Sequence, residues 1–127
     1  MPSFGCQSMS LPLQRVLMRA PRESLLNANP QQWHYGPTFD GAKALKQYQF
    51  FRSLVAACGT EIIDIEDHND GLSDAMFTFD PSLVSDHGAI ILNMGKPLRK
   101  AEPVLHEQAY ICLLYTSDAC RRLLTCR

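Results

Sequence analysis

The 127-residue sequence has no run approaching the roughly 18 consecutive apolar residues of a membrane helix. Its opening stretch, MPSFGCQSMSLPLQR, lacks the charged and apolar regions of a secretory signal, so a cytoplasmic protein with no membrane attachment is expected. Charge of one sign is scarce: 12 Lys and Arg stand against 13 Asp and Glu, a formal net charge of −1. That excludes a broad electrostatic footprint for nucleic acid. The five cysteines, Cys6, Cys58, Cys112, Cys120 and Cys126, form no CxxC pair and no zinc-ligand spacing, and their odd number suits no disulfide framework. No cofactor or metal is expected.

What is present suits one modest domain. The length allows a single core, and 46% hydrophobic with 20% charged residues is ordinary for a globular protein. Residues 1–12 carry Pro, Ser and Gly without periodicity and read as a leader. QRVLMRAP, 14–21, then reads as a strand ended by Pro21. From 22 to 40 the composition turns to Asn, Pro, Gln and Gly around the aromatic WHYGP at 33–37, a long connection of the kind that often lies over a site. Asp40 stands at an N-cap, and Ala44, Tyr48, Phe51, Val55 and Cys58 recur at helical steps until Gly59. Strand-like TEIIDI, 60–65, follows, giving the strand, helix, strand order of an α/β fold.

Two further strands are expected near 76–85 and 89–94, turned by SDHG at 85–88, with the apolar AIILNM suited to a buried position. A second helix is expected from Ala101, with Pro103 in its first turn and Val104, Leu105 and Ala109 as its apolar set.

The character of the sequence changes at Cys112. In one allowed set of codons, CLLYTS is TGT CTC TTA TAC ACA TCT, which resembles the mosaic end of transposase adapters used in sequencing libraries. With one inserted base, the adapter's continuation translates to the Asp-Ala-Cys-Arg-Arg found at 118–122. Residues 112–127 are therefore expected to be translated adapter, leaving 13–111 as the credible domain and a truncated protein. Setting that tail aside removes Arg121, Arg122, Arg127 and Asp118 and moves the formal net charge from −1 to −3.

GLSDAMFTFDP, 71–81, places Asp74 and Asp80 at either end of an apolar run. In an extended segment Asp74, Met76, Thr78 and Asp80 share one face, while Ala75, Phe77 and Phe79 share the other and enter the core. The two carboxylates then lie about 20 Å apart and grip one small molecule only if the segment bends. A carboxylate near apolar surface needs a partner, and a planar guanidinium, from the protein or from a ligand, meets it through two parallel bonds. Turn capping or a structural salt bridge is the alternative role of these residues.

DAMFTFDP followed by GAIILNMGKPLRKAE resembles the N-terminal signature of the dimethylargininase family, within the superfamily of arginine deiminases and amidinotransferases. PLQRVLMRAP and WHYGP also resemble the start of bacterial members, and the likeness covers about residues 10–111. The resemblance implies a pentein propeller of ββαβ units about a pseudo-fivefold axis, of which this chain supplies the first unit and part of the second. It implies a small-molecule substrate, arginine or methylated arginine, and leaves room for a homo-oligomer. It also implies that Asp80 binds the substrate guanidinium, Asp74 helps hold the amino-acid end and Arg99 pairs with the substrate carboxylate, for which a guanidinium fork is apt. Phe79 stands where well-known members are acidic, a departure that bears on specificity for methylated arginine.

The implied mechanism is attack of a cysteine thiolate on the guanidinium carbon, proton handling by a histidine, loss of an amine and release of citrulline by water. Those two catalytic residues are expected beyond this chain. Of the cysteines present, Cys58 reads as a packed thiol. Of the histidines, His87 fits a hairpin turn, His106 a helix surface, His34 the aromatic loop and His68 an acidic loop. DIEDHND, 64–70, fails as a calcium loop because Phe77 stands where its last carboxylate belongs. The competing readings are an arginine deiminase or amidinotransferase and, from another class, a non-catalytic amino-acid-binding module using Asp74, Asp80 and Arg99. Surface pairing of Arg99 and Lys100 with Glu102 is the bland reading of PLRKAE.

Overall fold

A computed structural model describes residues 8–85 and 87–115. Residues 1–7 of the expected leader, Asp86 in the expected turn and residues 116–127 of the expected adapter tail lie outside the described residues, together with Cys6, Cys120 and Cys126.

Strand β1 (Arg15–Met18) pairs in parallel with β2 (Glu61–Asp64), in a register running from Arg15 opposite Glu61 to Met18 opposite Asp64. Parallel neighbours need a crossover, and helix α3 (Gly41–Ala57) is its longest element. The Asp40 side chain accepts a hydrogen bond from the Lys43 amide at its start, and Gly59, at φ 80°, turns the chain out of it in the left-handed region that glycine tolerates. The expected connection at 22–40 instead holds two one-turn helices, α1 (Glu23–Leu26) and α2 (Pro30–Trp33). The second has local causes that composition hid: Pro30 sits at its first position and Asn29 accepts from the Gln31 and Gln32 amides.

Strands β3 (Ser82–Ser85) and β4 (Gly88–Ile91) form an antiparallel hairpin with Ser85 opposite Gly88. Helix α4 (Glu102–Tyr115) starts one residue after the expected position and runs through Cys112. The core comprises Ile65, Leu72, Ala75 and Leu105, with Leu17 and Ala109 against it. Leu17 of β1 and Ile65, just after β2, thus share a core with Leu105 and Ala109 of α4.

Several expectations fail, each for a physical reason. Residues 73–76 form a 3₁₀ turn rather than a strand, so the alternation between faces does not hold. Phe77 and Phe79 point to solvent, Phe79 with 90% of its surface exposed. Apolar Ile90, Ile91 and Leu92 are exposed as well, because β4 lies in a sheet of only two strands among the described residues. On α3 the inward positions include Gly41 and Tyr48, leaving Phe51 and Cys58 exposed. On α4, Val104 faces water while His106, expected at the surface, is buried.

Candidate functional site

The aromatic loop is aimed by its backbone. His34 adopts φ 61° and ends α2, and Tyr35 then stacks on Phe39 with ring centroids 4.6 Å apart. This turn brings Trp33 and Tyr35 close to Lys96, whose Nζ lies 4.9 Å and 5.8 Å from their ring centroids. A cation at that distance from a ring face is attracted by the ring quadrupole.

The 3₁₀ turn positions Asp74. Ser73 Oγ donates to the Ser24 carbonyl at 2.6 Å, pinning the turn against α1, and Asp74 is buried beneath it. Tyr35 Oη donates to Asp74 Oδ1 at 2.5 Å, and Lys96 Nζ donates to Asp74 Oδ2 and to the Trp33 carbonyl, each at 2.7 Å. Burial raises the Tyr35 hydroxyl well above its usual range, and the bond to Asp74 adds to the effect. Tyr35 therefore stays a proton donor to the carboxylate.

Arg99 lies at the end of a second 3₁₀ turn, Pro97–Arg99, which leads into α4. Its Nε donates to both oxygens of Glu102 at 2.9 and 3.0 Å, and its Nη2 meets Glu102 Oε2 at 2.8 Å. Its Nη1 donates to Asp80 Oδ2 at 2.7 Å, and its Nε stands 3.9 Å from Asp74 Oδ2. Burial disfavours the charge on Arg99, but the bonds to Glu102 and Asp80 outweigh it and raise its pKa. Glu102 shifts upward because its complete burial is offset only in part by Arg99.

The three residues singled out in the sequence, Asp74, Asp80 and Arg99, thus converge, because the chain bends at 73–76. The sequence reading missed Lys96 and Tyr35, which complete the shell of Asp74, and gave Glu102 only as a surface partner of Arg99 and Lys100 in the alternative reading of PLRKAE. WHYGP was legible as a loop over a site; Lys96 had only flanking Gly95 and Pro97 to mark it. Three carboxylates and two cations leave the cluster with one formal negative charge in excess. Asp80 is the carboxylate open to water, with 44% of its side chain exposed.

Beside this cluster, Ser82 Oγ lies 2.8 Å from both His106 Nδ1 and Tyr110 Oη. Burial and the neighbouring charge of Arg99 press His106 down to about 4, so it is neutral at pH 7. Among the described residues no group of three or more His, Cys, Asp or Glu side chains is placed to hold a metal, and no helix is long and apolar enough to cross a membrane. In DIEDHND, Asp67 is taken by Arg19 and Arg22.

No family model matches the chain, and no curated protein does. Solved structures do, among them two enzyme adducts. One is a dimethylarginine dimethylaminohydrolase as its adduct with 4-chloro-2-hydroxymethylpyridine, with 24% identity and a TM-score of 0.64 over 79% of this chain. The other is a variant dimethylarginine dimethylaminohydrolase as its adduct with S-methyl-L-thiocitrulline, with the same identity, TM-score and share of this chain. The chain spans 37% of the first and 38% of the second. Over that part of their length, it has the α/β fold of the dimethylarginine dimethylaminohydrolase structures.

Proposed function

We propose that this chain is the N-terminal, ligand-binding portion of a dimethylargininase-family hydrolase that acts on the guanidino group of arginine, methylated arginine or a related compound. Residues 13–111 would form the first ββαβ unit and part of the second in a pentein propeller. The observation that carries the reading is Asp80, an open carboxylate in a cluster with one excess negative charge, 2.7 Å from an arginine. A ligand guanidinium is the complement of that carboxylate, because its planar fork meets two oxygens at once. A ligand bearing a carboxylate as well would offer Arg99 a replacement for Asp80, so neither protein group would be left buried and unpaired.

Asp74 has the opposite character: it is enclosed and satisfied by the chain itself. The chemistry is hydrolytic. Thiolate attack on the guanidinium carbon breaks its bond to the departing amine, and water then cleaves the carbon–sulfur bond, leaving citrulline from an arginine or a ureido acid from another guanidino compound. The thiolate and the histidine would come from the part of the fold that this chain does not span, so the chain alone is expected to bind without turnover.

The test is calorimetric titration with two matched pairs: methylarginine against citrulline, and 4-guanidinobutyrate against its ureido counterpart. Binding of the guanidinium member of either pair at least about tenfold tighter than its neutral isostere, abolished in Asp80→Asn, is the expected result. No preference for the cation in either pair would overturn the reading.

A further inference from the structure

Helix α3 has an inner side held by the fold and an outer side that the fold leaves open. Its buried positions are Gly41 and Tyr48, and it packs on α1 and β2. Lys43, Lys46, Phe50, Leu54 and Ala57 recur at steps of three and four, so they share the opposite face, and all five are exposed. Phe50 and Leu54, at its centre, have 66% and 50% of their surface exposed, and Phe51 beside them 56%. With an aromatic side chain presenting about 150–250 Å², these three residues expose on the order of 300 Å² of apolar surface. An apolar patch of that size on a soluble protein marks an interaction site.

The charges along the helix identify the occupant. The helix α3 contains no acidic residue; it carries Lys43 in its first turn and Lys46 in its second, and its last turn holds no cation. A helix bears partial positive charge at its N-terminus and partial negative charge at its C-terminus, so Lys43 stands at the end that disfavours it. Reversed alongside a copy of itself, the helix sets those lysines against the partner's cation-free last turn, while Phe50 of each copy meets Leu54 of the other. We infer that the outer face of α3 is a docking surface for a second copy of this chain, the two helices lying antiparallel about a two-fold axis beside Phe50 and Leu54. This stands independently of the guanidino reading of Asp80.

A two-fold contact is self-complementary, so each residue in it acts twice and the assembly stops at two copies. The apolar patch supplies on the order of 300 Å² of the ~800 Å² that each partner buries in a standard interface. The aliphatic stems of Lys43 and Lys46, together with Gln47, add to it from the same side of the helix. A contact of this modest apolar area forms a dimer that dissociates on dilution.

Phe79 and Ile90 are exposed on the hairpin side, so the test is sedimentation velocity of the full 127-residue chain carrying Phe79→Ser and Ile90→Thr, which leaves α3 as the face under study. Reducing conditions are used because Cys58 is exposed. That chain should form a dimer as concentration rises and no larger species. Adding Phe50→Glu should raise the dissociation constant at least about tenfold, while Gln49→Glu, which adds the same charge on the flank of α3, should leave it within about twofold. Lys43→Glu should loosen the dimer about threefold without lowering the melting temperature of the monomer, because an acid there suits its own helix and opposes the partner's. A chain that stays monomeric at every concentration overturns the inference. So does a dimer indifferent to Phe50→Glu, or one weakened equally by Gln49→Glu. A dimer tightened by Lys43→Glu overturns the antiparallel arrangement. Should Phe50→Glu not fold, Leu54→Glu puts the charge into the same contact and carries the same expectations.

Discussion

Arg19 and Asp67 meet across 48 positions of sequence, Nε to Oδ2 at 2.8 Å, with side chains only 1% and 7% exposed. Arg19 also donates to the carbonyls of Asn69 and Leu72, so one guanidinium binds the loop after β2 to the end of β1. Removing one partner of such a pair leaves a buried charge uncompensated. Asp67→Ala should lower the unfolding free energy by about 3–5 kcal/mol, read from urea denaturation. The double variant Arg19→Met with Asp67→Ala should recover much of that loss. A loss below about 1 kcal/mol in the single variant would mean that the pair behaves as a surface contact.

Acid should unfold the chain in two stages. His106 is held down near 4 by burial and by Arg99, so below about pH 6.5 an unfolded imidazole takes up a proton that the folded one refuses. Stability from this source is complete above pH 6.5 and falls as pH drops toward 4, by at most about 1.4 kcal/mol per unit. Asp67 is opposed by burial but pulled net below the usual carboxylate range by Arg19 and the Asn69 amide. Its contribution is present above about pH 4 and is lost only as pH falls further, through its folded value. Stability measured from pH 8 to 3 should therefore lose its first stage in His106→Gln and keep its second. An unchanged first stage would place the acid sensitivity elsewhere.

Gly41 is a contact between backbones. A Cβ there would come within 2.7 Å of both the Cα and the carbonyl oxygen of Leu26, atoms that do not yield as a side-chain tip would. Gly41→Ala should cost about 1–3 kcal/mol by forcing α3 away from α1. Gly36→Ala, where a Cβ meets nothing within 4 Å, should stay within about 0.5 kcal/mol of the parent in the same thermal melts.

The isolated chain should associate with itself. Phe50, Phe51 and Leu54 line the outer side of α3, while Phe79, Leu83 and Ile90 stand open on the hairpin side. An open hollow of about 350 Å³ lies between β1–β2, the hairpin and α4, lined by Leu17, Ile63, Phe79, Leu83, Val84 and Tyr110, among others. Exposed apolar patches of this kind drive association. Sedimentation velocity over a concentration series should show oligomers that diminish in the Phe79→Ser, Ile90→Thr variant. A monomer at every concentration, with no binding of a hydrophobic dye, would contradict this.

Where causes are local, the sequence was readable. Asp40 and Gly59 bracket α3 through a cap and a left-handed glycine, and TEIIDI contains β2. Where causes are distant, it was not. Residues 73–76 alternate like a strand, yet Ser24, Tyr35 and Lys96, all 22 or more positions away, bend them into a turn. On α4 the inward positions 102, 105, 106 and 109 are perfectly helical in spacing, but two of them are Glu and His. They are partnered by Arg99 and Ser82, and a reading based on hydrophobicity assigned His106 to the helix surface. On α3 the confusion is reversed, because large apolar residues occupy the outer side. Of the candidate cluster, Asp74, Asp80 and Arg99 were singled out through their motif and lie together in the structure; Tyr35 and Lys96 acquire meaning only in three dimensions.

The two sheets differ in the order in which they can form. Ser85 finds Gly88 three positions away, so β3–β4 can close on the microsecond scale of a hairpin. Arg15 finds Glu61 across 46 positions, and the entropy of that closure must be overcome before any β1–β2 ladder bond is gained. The prediction is an early hairpin and a late parallel pair. Kinetic φ-values should be substantial at Val84 and Ala89 and near zero for Arg19 and Asp67, which would then act as a latch closing after the barrier; φ-values near one at the latch would reverse that order.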